Sequence, residues 1–372
     1  MAQLIKSALP PIGCNGRGVQ DSSLSRPITI EEPSIEEQFR LVKAAGVFDG
    51  LDRLPMPHEV ATFHRCSAQY DLPTYTASWF YAWGEDESIL REKLALASQV
   101  GAKQHNIMLY WHDVNGRAIT NEEVAEFYAR AYEIGMPLDV EPTMELHVNM
   151  WSEDPRRVAA VAQLVRAKGI PFNFTLDYSH ILFKIGNEQE LRICGIYDDV
   201  QAGRLELDPR HPGNLVQQWL DMGIVRWLQV RAAAPNGPRN TWATIDLSRE
   251  VAAIPKFSIF PYEDGIPGRG IIYPFTQPAP GEWHSDWDAS QLDCIKEVVR
   301  LVLRHHAFDE RSRLRAITTE MITLPDYALN AKFSLIAQNA AVAKFIRATW
   351  QSLGEAVPTE SAKFQSAETL PA

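Results

Sequence analysis

Three acidic residues stand where predicted β-strands end, and their placement is the clearest chemical signal in the sequence. Glu141 lies in MPLDVEPTM, Asp177 in FNFTLDYSH and Glu320 in RAITTEMI, and in each segment an apolar run stops at the carboxylate. If these strands are parallel and close into a barrel, their carboxyl ends meet on one face. The three carboxylates would then converge from distant parts of the chain, and convergent oxygen ligands are what a divalent metal ion binds.

The composition is that of a globular protein. The chain has 372 residues, of which 45% are hydrophobic and 22% charged, enough for one large domain or two small ones. A formal net charge of -11 without a basic stripe excludes nucleic acid as an expected partner. The sequence has no run of about eighteen apolar residues, so we expect no membrane span. The start, MAQLIKSALPPIG, lacks the apolar core of a secretory signal, and the four scattered cysteines have neither disulfide nor metal spacing, so we expect a cytoplasmic protein.

The elements that must position the carboxylates alternate regularly along the chain. Helices are indicated by N-cap residues at Thr120 and Ser152, each followed by acidic residues, and by Gly135 and Gly169 at their ends. Seven strand–helix alternations follow residue 35, and LPPIGCNG near the start could supply an eighth strand. Strict alternation predicts right-handed crossovers and a parallel sheet, and eight units favour a (β/α)8 barrel over an open sheet.

One segment is too long for this rhythm. Residues 232–287 follow the seventh predicted strand and are rich in aromatic residues, which predicts a lid or binding element on the active face. The residues after the last predicted helix lack apolar periodicity. The expected parts are an N-terminal arm with a candidate first strand at 1–35, the barrel at 36–325, a C-terminal helix at 326–353 and a mobile tail at 354–372.

The order of these motifs resembles that of the xylose-isomerase-like barrels, which include sugar isomerases and 3-epimerases. LDVEPTMELH resembles the family's fifth-strand glutamate segment, FTLDYSH its D-x-x-H motif and TTEMI its last-strand glutamate. The resemblance covers the predicted barrel and implies metal ligation by Glu141, Asp177 and Glu320. It also implies substrate contacts by His180, three residues after the aspartate, and by His147.

The sequence departs from the family pattern at the seventh strand, where the resemblance implies a histidine ligand. WLQVRAA has Gln229 at the expected position and Arg231 two residues later. A glutamine carbonyl suits Mg or Mn better than Zn, although Co and Zn remain compatible with the carboxylates. Arg231 could instead hold an anionic group of the substrate. His284 of the long segment could contact the substrate, and either His284 or Asp286 could complete the ligand set.

The chemistry that these residue types support is proton transfer beside a carbonyl. A divalent cation polarises the carbonyl and stabilises the enediolate that forms when the proton leaves. Glu141 and Glu320, on two sides of the carbon, would remove the proton and return it. Aromatic side chains would form apolar walls for the substrate; the candidates are Trp79, Trp83, Trp111 and Trp283. We therefore predict a metal-dependent isomerase or epimerase of a sugar or keto-sugar derivative.

Two other outcomes stay open at this stage. The same proton abstraction beside a leaving group gives a lyase, such as a dehydratase or a deglycosidase subunit acting on 3-keto-glycosides or C-glycosides. The missing histidine instead motivates a non-catalytic barrel subunit. A DNA-repair nuclease needs more histidines and a basic groove, which this acidic chain lacks. The expected partners are a small carbohydrate or glycoside substrate and either further copies of the chain or a second subunit.

Overall fold

A parallel sheet of eight strands forms the centre of the molecule. The computed structural model describes residue 5, residues 7–246 and residues 262–355. Its strands are β1 (Ile12–Asn15), β2 (Gly50–Asp52), β3 (Thr76–Tyr81), β4 (Gln104–Leu109), β5 (Glu141–Glu145), β6 (Phe174–Asp177), β7 (Val225–Val230), β8 (Asn240–Thr244), β9 (Pro267–Gly268) and β10 (Ala316–Thr319). The order in the large sheet is β2-β1-β10-β7-β6-β5-β4-β3. Leu51 N of β2 donates to Pro73 O just before β3 at 3.1 Å, so the edges nearly meet and the predicted (β/α)8 barrel is confirmed.

Helices surround the barrel. They are α1 (Ile35–Ala45), α2 (Val60–Tyr70), α3 (Glu87–Gln99), α4 (Asn121–Gly135), α5 (Arg156–Ala167), α6 (Ser179–Leu182), α7 (Glu188–Ile193), α8 (Tyr197–Gln201), α9 (Leu215–Asp221), α10 (Asp293–Phe308) and α11 (Leu335–Glu355). In the last of these, Asn339 Nδ2 donates to the carbonyls of Gly18 and Met321 at 3.2 and 2.9 Å. The C-terminal helix therefore holds the loops after β1 and β10. Within the described ranges, no helix combines the length and apolarity needed to cross a membrane.

Of the two predicted helix N-caps, Thr120 is confirmed and Ser152 is wrong. Thr120 caps α4, because its hydroxyl accepts from Glu123 N while the Glu123 carboxylate accepts from Thr120 N. Ser152 caps no helix, because Trp151–Glu153 form a 3-10 turn and α5 begins only at Arg156. The Ser152 hydroxyl instead accepts from His147 N and donates to the carbonyl of Glu145. It fixes the chain as it leaves β5.

The fifth strand begins where the sequence predicts it to end. Met136–Leu138 form a 3-10 turn and Asp139 has a left-handed backbone with a φ of 58°, so residues 136–139 cannot extend. The strand runs over Glu141–Glu145, and Glu141 pairs with Gln104 at the amino end of β4. The placement of Glu141 at the carboxyl end is therefore wrong. The residue that ends β5 is Glu145.

Polar side chains fill the interior between these strands. Alternate residues of a strand point to the same face, so Glu141, Thr143 and Glu145 share the inward face of β5. Asn106 of β4 donates to Glu145 Oε2, Thr143 Oγ1 donates to Asn106 Oδ1 at 3.4 Å, and Thr175 Oγ1 donates to Thr143 Oγ1 at 2.7 Å. At about 3.3 Å per residue, Glu141 lies roughly 13 Å below Glu145 along this column.

The long segment after β7 carries the antiparallel pair β8 and β9, in agreement with the predicted extension at this point of the barrel. Residues 247–261 of the segment lie outside the described residues, and with them Phe257 and Phe260, two aromatic residues of the predicted binding element. Residues 356–372 of the predicted tail lie outside them as well. The described part is fixed to the barrel near β9. Arg269 N donates to Asp326 Oδ1 at 2.7 Å, and Tyr262 OH donates to Asp326 Oδ2 at 2.8 Å.

A buried ionic cluster also holds the described part of this segment. Arg269 Nη2 contacts Glu153 Oε1 at 2.7 Å and Glu190 Oε2 at 2.6 Å, and Lys184 Nζ contacts Glu153 Oε1 at 2.7 Å. All four side chains are at most 2% exposed. Buried charges of this kind are tolerated only when each has a partner, because an unpaired ion in a protein interior is strongly disfavoured. We call Glu153, Lys184, Glu190 and Arg269 the Arg269 cluster.

Arg269→Met should lower the free energy of unfolding by about 3–5 kcal/mol, because it leaves Glu190 buried without its main partner and takes one cation from Glu153. The matched control is Arg192→Met, which breaks the exposed pair with Glu188 and should change the stability far less. Urea denaturation of both variants checks this. Equal losses would show that burial of the Arg269 cluster has no special weight.

Candidate functional site

A cavity of about 360 Å³ opens at the carboxyl end of the barrel. Its walls come from the ends of the strands and from the loops that follow them. The residues that line it include Asn15, Arg17, Asp52, Arg53, Trp79, Phe80, Tyr110, His147, Asn149, Arg231, Tyr262, Glu320, Asp326 and Tyr327. This is the face on which a parallel barrel collects the side chains that follow its strands.

Three carboxylates converge at this end of the barrel. Glu145 ends β5, Asp177 ends β6, and Glu320 follows β10, where its N–H donates to the carbonyl of Val230 at 3.0 Å. One carboxylate oxygen from each residue lies within 4.8 Å of the other two. The three residues are 1%, 0% and 7% exposed, respectively, so the group is almost free of bulk solvent. We call Glu145, Asp177 and Glu320 the carboxylate trio.

Each member of the trio has one satisfied oxygen. Asp177 Oδ1 accepts from the backbone N–H and the hydroxyl of Ser179 at 3.1 and 2.6 Å. Glu320 Oε1 accepts from Asn15 Nδ2 at 3.0 Å, and Glu145 Oε2 accepts from Asn106. The second oxygens are different: Glu145 Oε1, Asp177 Oδ2 and Glu320 Oε2 are buried and have no hydrogen-bond partner in the part of the chain that the structure describes.

Arg231 supplies the positive charge nearest to the trio. Its Nη1 lies 2.9 Å from Asp177 Oδ2 and its Nη2 lies 3.1 Å from Glu320 Oε2, as ion-pair contacts. Nη1 also donates to Ser179 Oγ at 2.9 Å, Nε donates to the carbonyl of Glu320 at 2.9 Å, and the guanidinium lies 4.4 Å from the centre of the Tyr327 ring. These contacts hold the side chain in one orientation.

The charges of this group do not balance by themselves. Three ionised carboxylates against one guanidinium leave two negative charges uncompensated. Burial, with Asp177 close by, raises the pKa of Glu145 well above its ordinary value, and burial does the same to the pKa of Glu320. For Asp177 burial is again the largest single effect and favours the neutral acid, but Arg231, His180 and the Ser179 hydrogen bond together outweigh it and lower the pKa. Two further positive charges would allow all three acids to ionise.

Two histidines stand beside the trio. Their ring centres are 4.1 Å apart, and nitrogen atoms of His147 and His180 form a second group with Glu145 within 4.8 Å. Burial lowers the pKa of His180 to about 4 and that of His147 well below its ordinary value, so both rings are neutral at pH 7. A neutral His180 accepts from Arg231 Nη1 through Nε2 at 3.1 Å. His147 lines the cavity, whereas His180, the other histidine predicted to contact the substrate, is not part of its wall.

These residues fit a hard divalent cation. Carboxylate oxygens are the preferred ligands of Mg and Mn. One carboxylate oxygen from each member of the trio lies within 4.8 Å of the other two, close enough to share one ion. Glu145 Oε1 and Gln229 Oε1 are buried and have no hydrogen-bond partner among the described residues, and Asp177 Oδ2 and Glu320 Oε2 contact Arg231 as ion pairs. A divalent ion would also bring the two positive charges that the trio and Arg231 lack.

The predicted ligand Glu141 lies at the opposite end of the barrel. Its Oε2 accepts from Arg226 Nε at 2.6 Å, and its Oε1 lies 3.8 Å from Arg313 Nη2. It is not part of the cavity wall. The error is four residues along one strand, and Glu145 takes the position expected for Glu141.

The seventh strand places both predicted residues near the trio, in an order that the sequence did not indicate. Gln229 pairs with Asp177 in the sheet and is 1% exposed. Arg231, two residues further on, is the one that touches Asp177 and Glu320 and lines the cavity. The ligand role of Gln229 stays a prediction.

Two predicted substrate contacts lie elsewhere. Trp111 is absent from the cavity wall, and the Arg157 guanidinium lies 5.2 Å from the centre of its ring. His284 also lies outside the wall; its ring packs 3.9 Å from that of Trp283, and its Nδ1 lies 2.6 Å from Ser285 Oγ. Of the four tryptophans proposed as apolar walls, Trp79 lines the cavity.

The sequence reasoning also missed residues that support the trio. Asn106 and Asn15 each bond one glutamate, and neither belongs to a recognisable motif. Glu145 carried a signal, because it shares the strand parity of Glu141 and lies four residues closer to His147. Asp52, the last residue of β2, lines the cavity, and its buried Oδ2 has no hydrogen-bond partner among the described residues.

Solved structures share this architecture, although no family model matches the sequence and no curated protein matches it. A D-allulose 3-epimerase from Methylomonas sp. aligns with a TM-score of 0.51 and 12% identity over 94% of this chain and 100% of that one. Its complex with D-allulose gives 0.50 and 11% over 94% and 100%. An L-ribulose 3-epimerase gives 0.50 and 11% over 98% and 100%. The predicted resemblance to the barrels that include 3-epimerases is confirmed for the fold.

Asp52 should make the protein less stable as the pH rises from 5 to 8. Burial raises its pKa to about 7, above the unfolded value, so the folded state holds the proton more tightly and this stabilisation is lost through pH 7. Asp52→Asn cannot titrate. Its unfolding free energy relative to the wild type should therefore rise by about 2.5 kcal/mol between pH 5 and pH 8.

Urea denaturation of the wild type and Asp52→Asn at both pH values measures this difference. The other buried acids are present in both proteins, so their titration cancels in the comparison except where Asp52 itself acts on a neighbour, as it does on Glu145. A difference that is the same at pH 5 and pH 8 would mean that Asp52 has an ordinary pKa.

Proposed function

We propose that the protein is an isomerase or epimerase of a sugar or keto-sugar derivative that works through an enediolate. The observation that carries the proposal is the trio itself: three buried carboxylates, each with one oxygen that has no hydrogen-bond partner among the described residues, next to a cavity. Arg231 is in ion-pair contact with two of the three acids, so the trio carries more negative charge than this contact balances. Buried acids in excess of their counter-charges are costly for the fold, and such groups persist mainly where chemistry or an ion uses them.

Glu145 and Glu320 are the acid and the base of this proposal. They belong to β5 and to the end of β10, which β6 and β7 separate in the sheet, so they approach a bound substrate from different sides. One carboxylate takes the proton from the carbon next to the carbonyl, and the C–H electron pair becomes the enediolate. The other carboxyl group returns a proton, to the opposite face for epimerisation or to the neighbouring carbon for isomerisation.

The proposed cofactor is a divalent cation, Mg or Mn, held by Glu145, Asp177 and Glu320, with Gln229 as the candidate fourth ligand. Such an ion, when bound, would polarise the carbonyl and stabilise the negative charge of the enediolate. Arg231 holds Asp177 and Glu320 in position. His147, neutral and on the cavity wall, is placed to hydrogen-bond a substrate hydroxyl.

The fold likeness supports the same class of reaction. The structures described above are named as a D-allulose 3-epimerase and an L-ribulose 3-epimerase, and one contains D-allulose. Carbohydrate substrates fit the aromatic part of the wall here, at Trp79, Phe80 and Tyr110. All four cysteines are unpaired, which agrees with the proposed cytoplasmic location.

Glu145→Gln and Glu320→Gln should each slow proton transfer by at least about 100-fold, because the amide cannot accept or donate the transferred proton. The measurement is incorporation of solvent deuterium into ketopentoses and ketohexoses, followed by NMR. Glu141→Gln is the matched control and should stay within about threefold of the wild type, because Glu141 lies at the other end of the barrel. A loss with Glu141→Gln equal to that with Glu145→Gln would overturn the assignment.

Purified protein should hold about one divalent ion per chain, and Asp177→Asn should weaken its binding by at least tenfold, since it removes an anionic ligand. Metal analysis by mass spectrometry and titration of the apoprotein with Mn measure this. Gln229→Leu tests the fourth ligand: an unchanged affinity would remove Gln229 from the set. If exchange activity stays complete after exhaustive chelation, the reaction does not need a metal, and the acid–base pair alone remains of the proposal.

The products separate the remaining alternatives. An isobaric sugar identifies an isomerase or epimerase, whereas loss of water or of an aglycone identifies a lyase of the same chemistry. If neither substrate class exchanges deuterium, the result would favour the non-catalytic subunit. Whether the chain assembles with copies of itself or with a second subunit stays a prediction.

A further inference from the structure

Two arginines stand on the rim of the cavity, and the proposed proton transfer gives them no role. Arg17 lies in the turn Gly16–Gly18 directly after β1, and Arg53 directly follows Asp52 at the end of β2. Both line the cavity. They come from neighbouring strands whose last residues, Asn15 and Asp52, are paired in the sheet. The backbone positions of the two arginines are therefore neighbours in the fold.

The same turn connects this rim to the trio. Asn15 Oδ1 accepts from Arg17 N at 3.0 Å, while Asn15 Nδ2 donates to Glu320 Oε1 at 3.0 Å. Two residues of chain span at most about 7 Å, so the backbone of Arg17 begins close to a proposed acid–base group. A substrate that reaches Glu320 with its reacting carbon can reach the arginine rim with a distant substituent.

One carboxylate serves both arginines. Glu32 Oε1 lies 3.4 Å from Arg17 Nε, and Glu32 Oε2 lies 3.1 Å from Arg53 Nη2. Two guanidinium groups against Glu32 leave one positive charge at the rim, which Asp52 beside Arg53 offsets when it ionises near pH 7. This excess is notable in a chain with a net charge of -11, and a positive edge on a cavity draws anions towards it.

Donors are still free at this rim. Arg53 Nη1 donates to the carbonyl of Leu54 at 3.0 Å, but its Nε is buried and has no hydrogen-bond partner among the described residues. The aliphatic part of the Arg53 side chain packs closely against Gly16, where an added Cβ atom would lie only 2.8 Å from Arg53 Cδ. The Arg17 side chain is 41% exposed and contacts Glu32 through its Nε, so the outer part of its guanidinium is open to a ligand in the cavity.

We propose that the substrate carries an anionic group, a phosphate ester or a carboxylate, and that Arg17 and Arg53 bind it. Planar guanidinium groups present paired N–H donors that match the oxygens of either group. The proposal rests on the proposed function for the reaction at the trio, but anion binding at the rim can be measured without any turnover. It narrows the substrate from sugars in general to sugar phosphates or keto-sugar acids.

Direct binding is the first measurement. Inorganic phosphate is titrated calorimetrically into the full chain, and we expect Arg17→Gln and Arg53→Gln each to weaken binding by at least tenfold. Glu32→Gln should tighten it severalfold, because it removes the competing carboxylate. Arg40→Gln, at an exposed arginine paired with Glu37 on α1, is the matched control and should bind like the wild type. Circular dichroism verifies that each variant is folded.

Activity is the second measurement. Deuterium exchange is compared for ketopentoses and ketohexoses, their terminal phosphates and the corresponding keto-sugar acids. We expect a preference of at least tenfold in kcat/KM for one anionic class, and its identity distinguishes phosphate from carboxylate. In Arg17→Gln the preference should fall mainly through a higher KM.

The outcomes for the two proposals differ. Phosphate binding that the arginine substitutions leave unchanged, or equal rates for neutral and anionic sugars, would overturn the anionic-substrate proposal while the acid–base pair stands. Loss of phosphate binding in the arginine variants without exchange in any sugar would support the anion site and overturn the proposed reaction.

Discussion

Mutual repulsion among three buried carboxylates is the constraint around which this barrel is organised. At a separation of about 4 Å and an effective dielectric constant near 20, each pair of charges repels by about 4 kcal/mol. The fold counters this with donors from separate elements: Asn106 from β4, Asn15 from the end of β1, and Ser179 from α6. Arg231 from the end of β7 adds a guanidinium charge in direct contact with Asp177 and Glu320. None of these groups is close to another in sequence, so the site exists only when the barrel is closed.

Regular alternation of strands and helices predicted the barrel, and two of the three carboxylates followed from it. Asp177 and Glu320 were placed correctly because the apolar run of each strand ends at the loop without ambiguity. The fifth strand was different, because PLDVEPT alternates as well as EPTME does. The deciding facts are a 3-10 turn and the left-handed backbone of Asp139, which are properties of the folded chain. Two residues that are four positions apart in a strand point to the same face. A glutamate was therefore predicted on the correct, inward face of β5 but at the wrong position along the strand.

The remaining differences concern contacts between distant parts of the chain. A sequence pattern can place Gln229 and Arg231 on the same face, but only the neighbouring strands decide which one reaches Asp177. Trp111 and His284 are aromatic residues near the ends of elements, and packing against Arg157 and Trp283 takes them away from the cavity. Asp52 and Asn15 gave no signal, because single polar residues at short strands are common. Their importance comes from burial, which a single sequence does not report.

A guanidinium that is bonded to the chain is present at every ion concentration, unlike a cation that dissociates. With the divalent ion that we propose, Asp177 and Glu320 keep this permanent counter-charge even after the ion has left. Loss of the ion would then stop the proposed proton transfer while the strand ends stay assembled. The folded chain would be ready to bind the ion again without refolding.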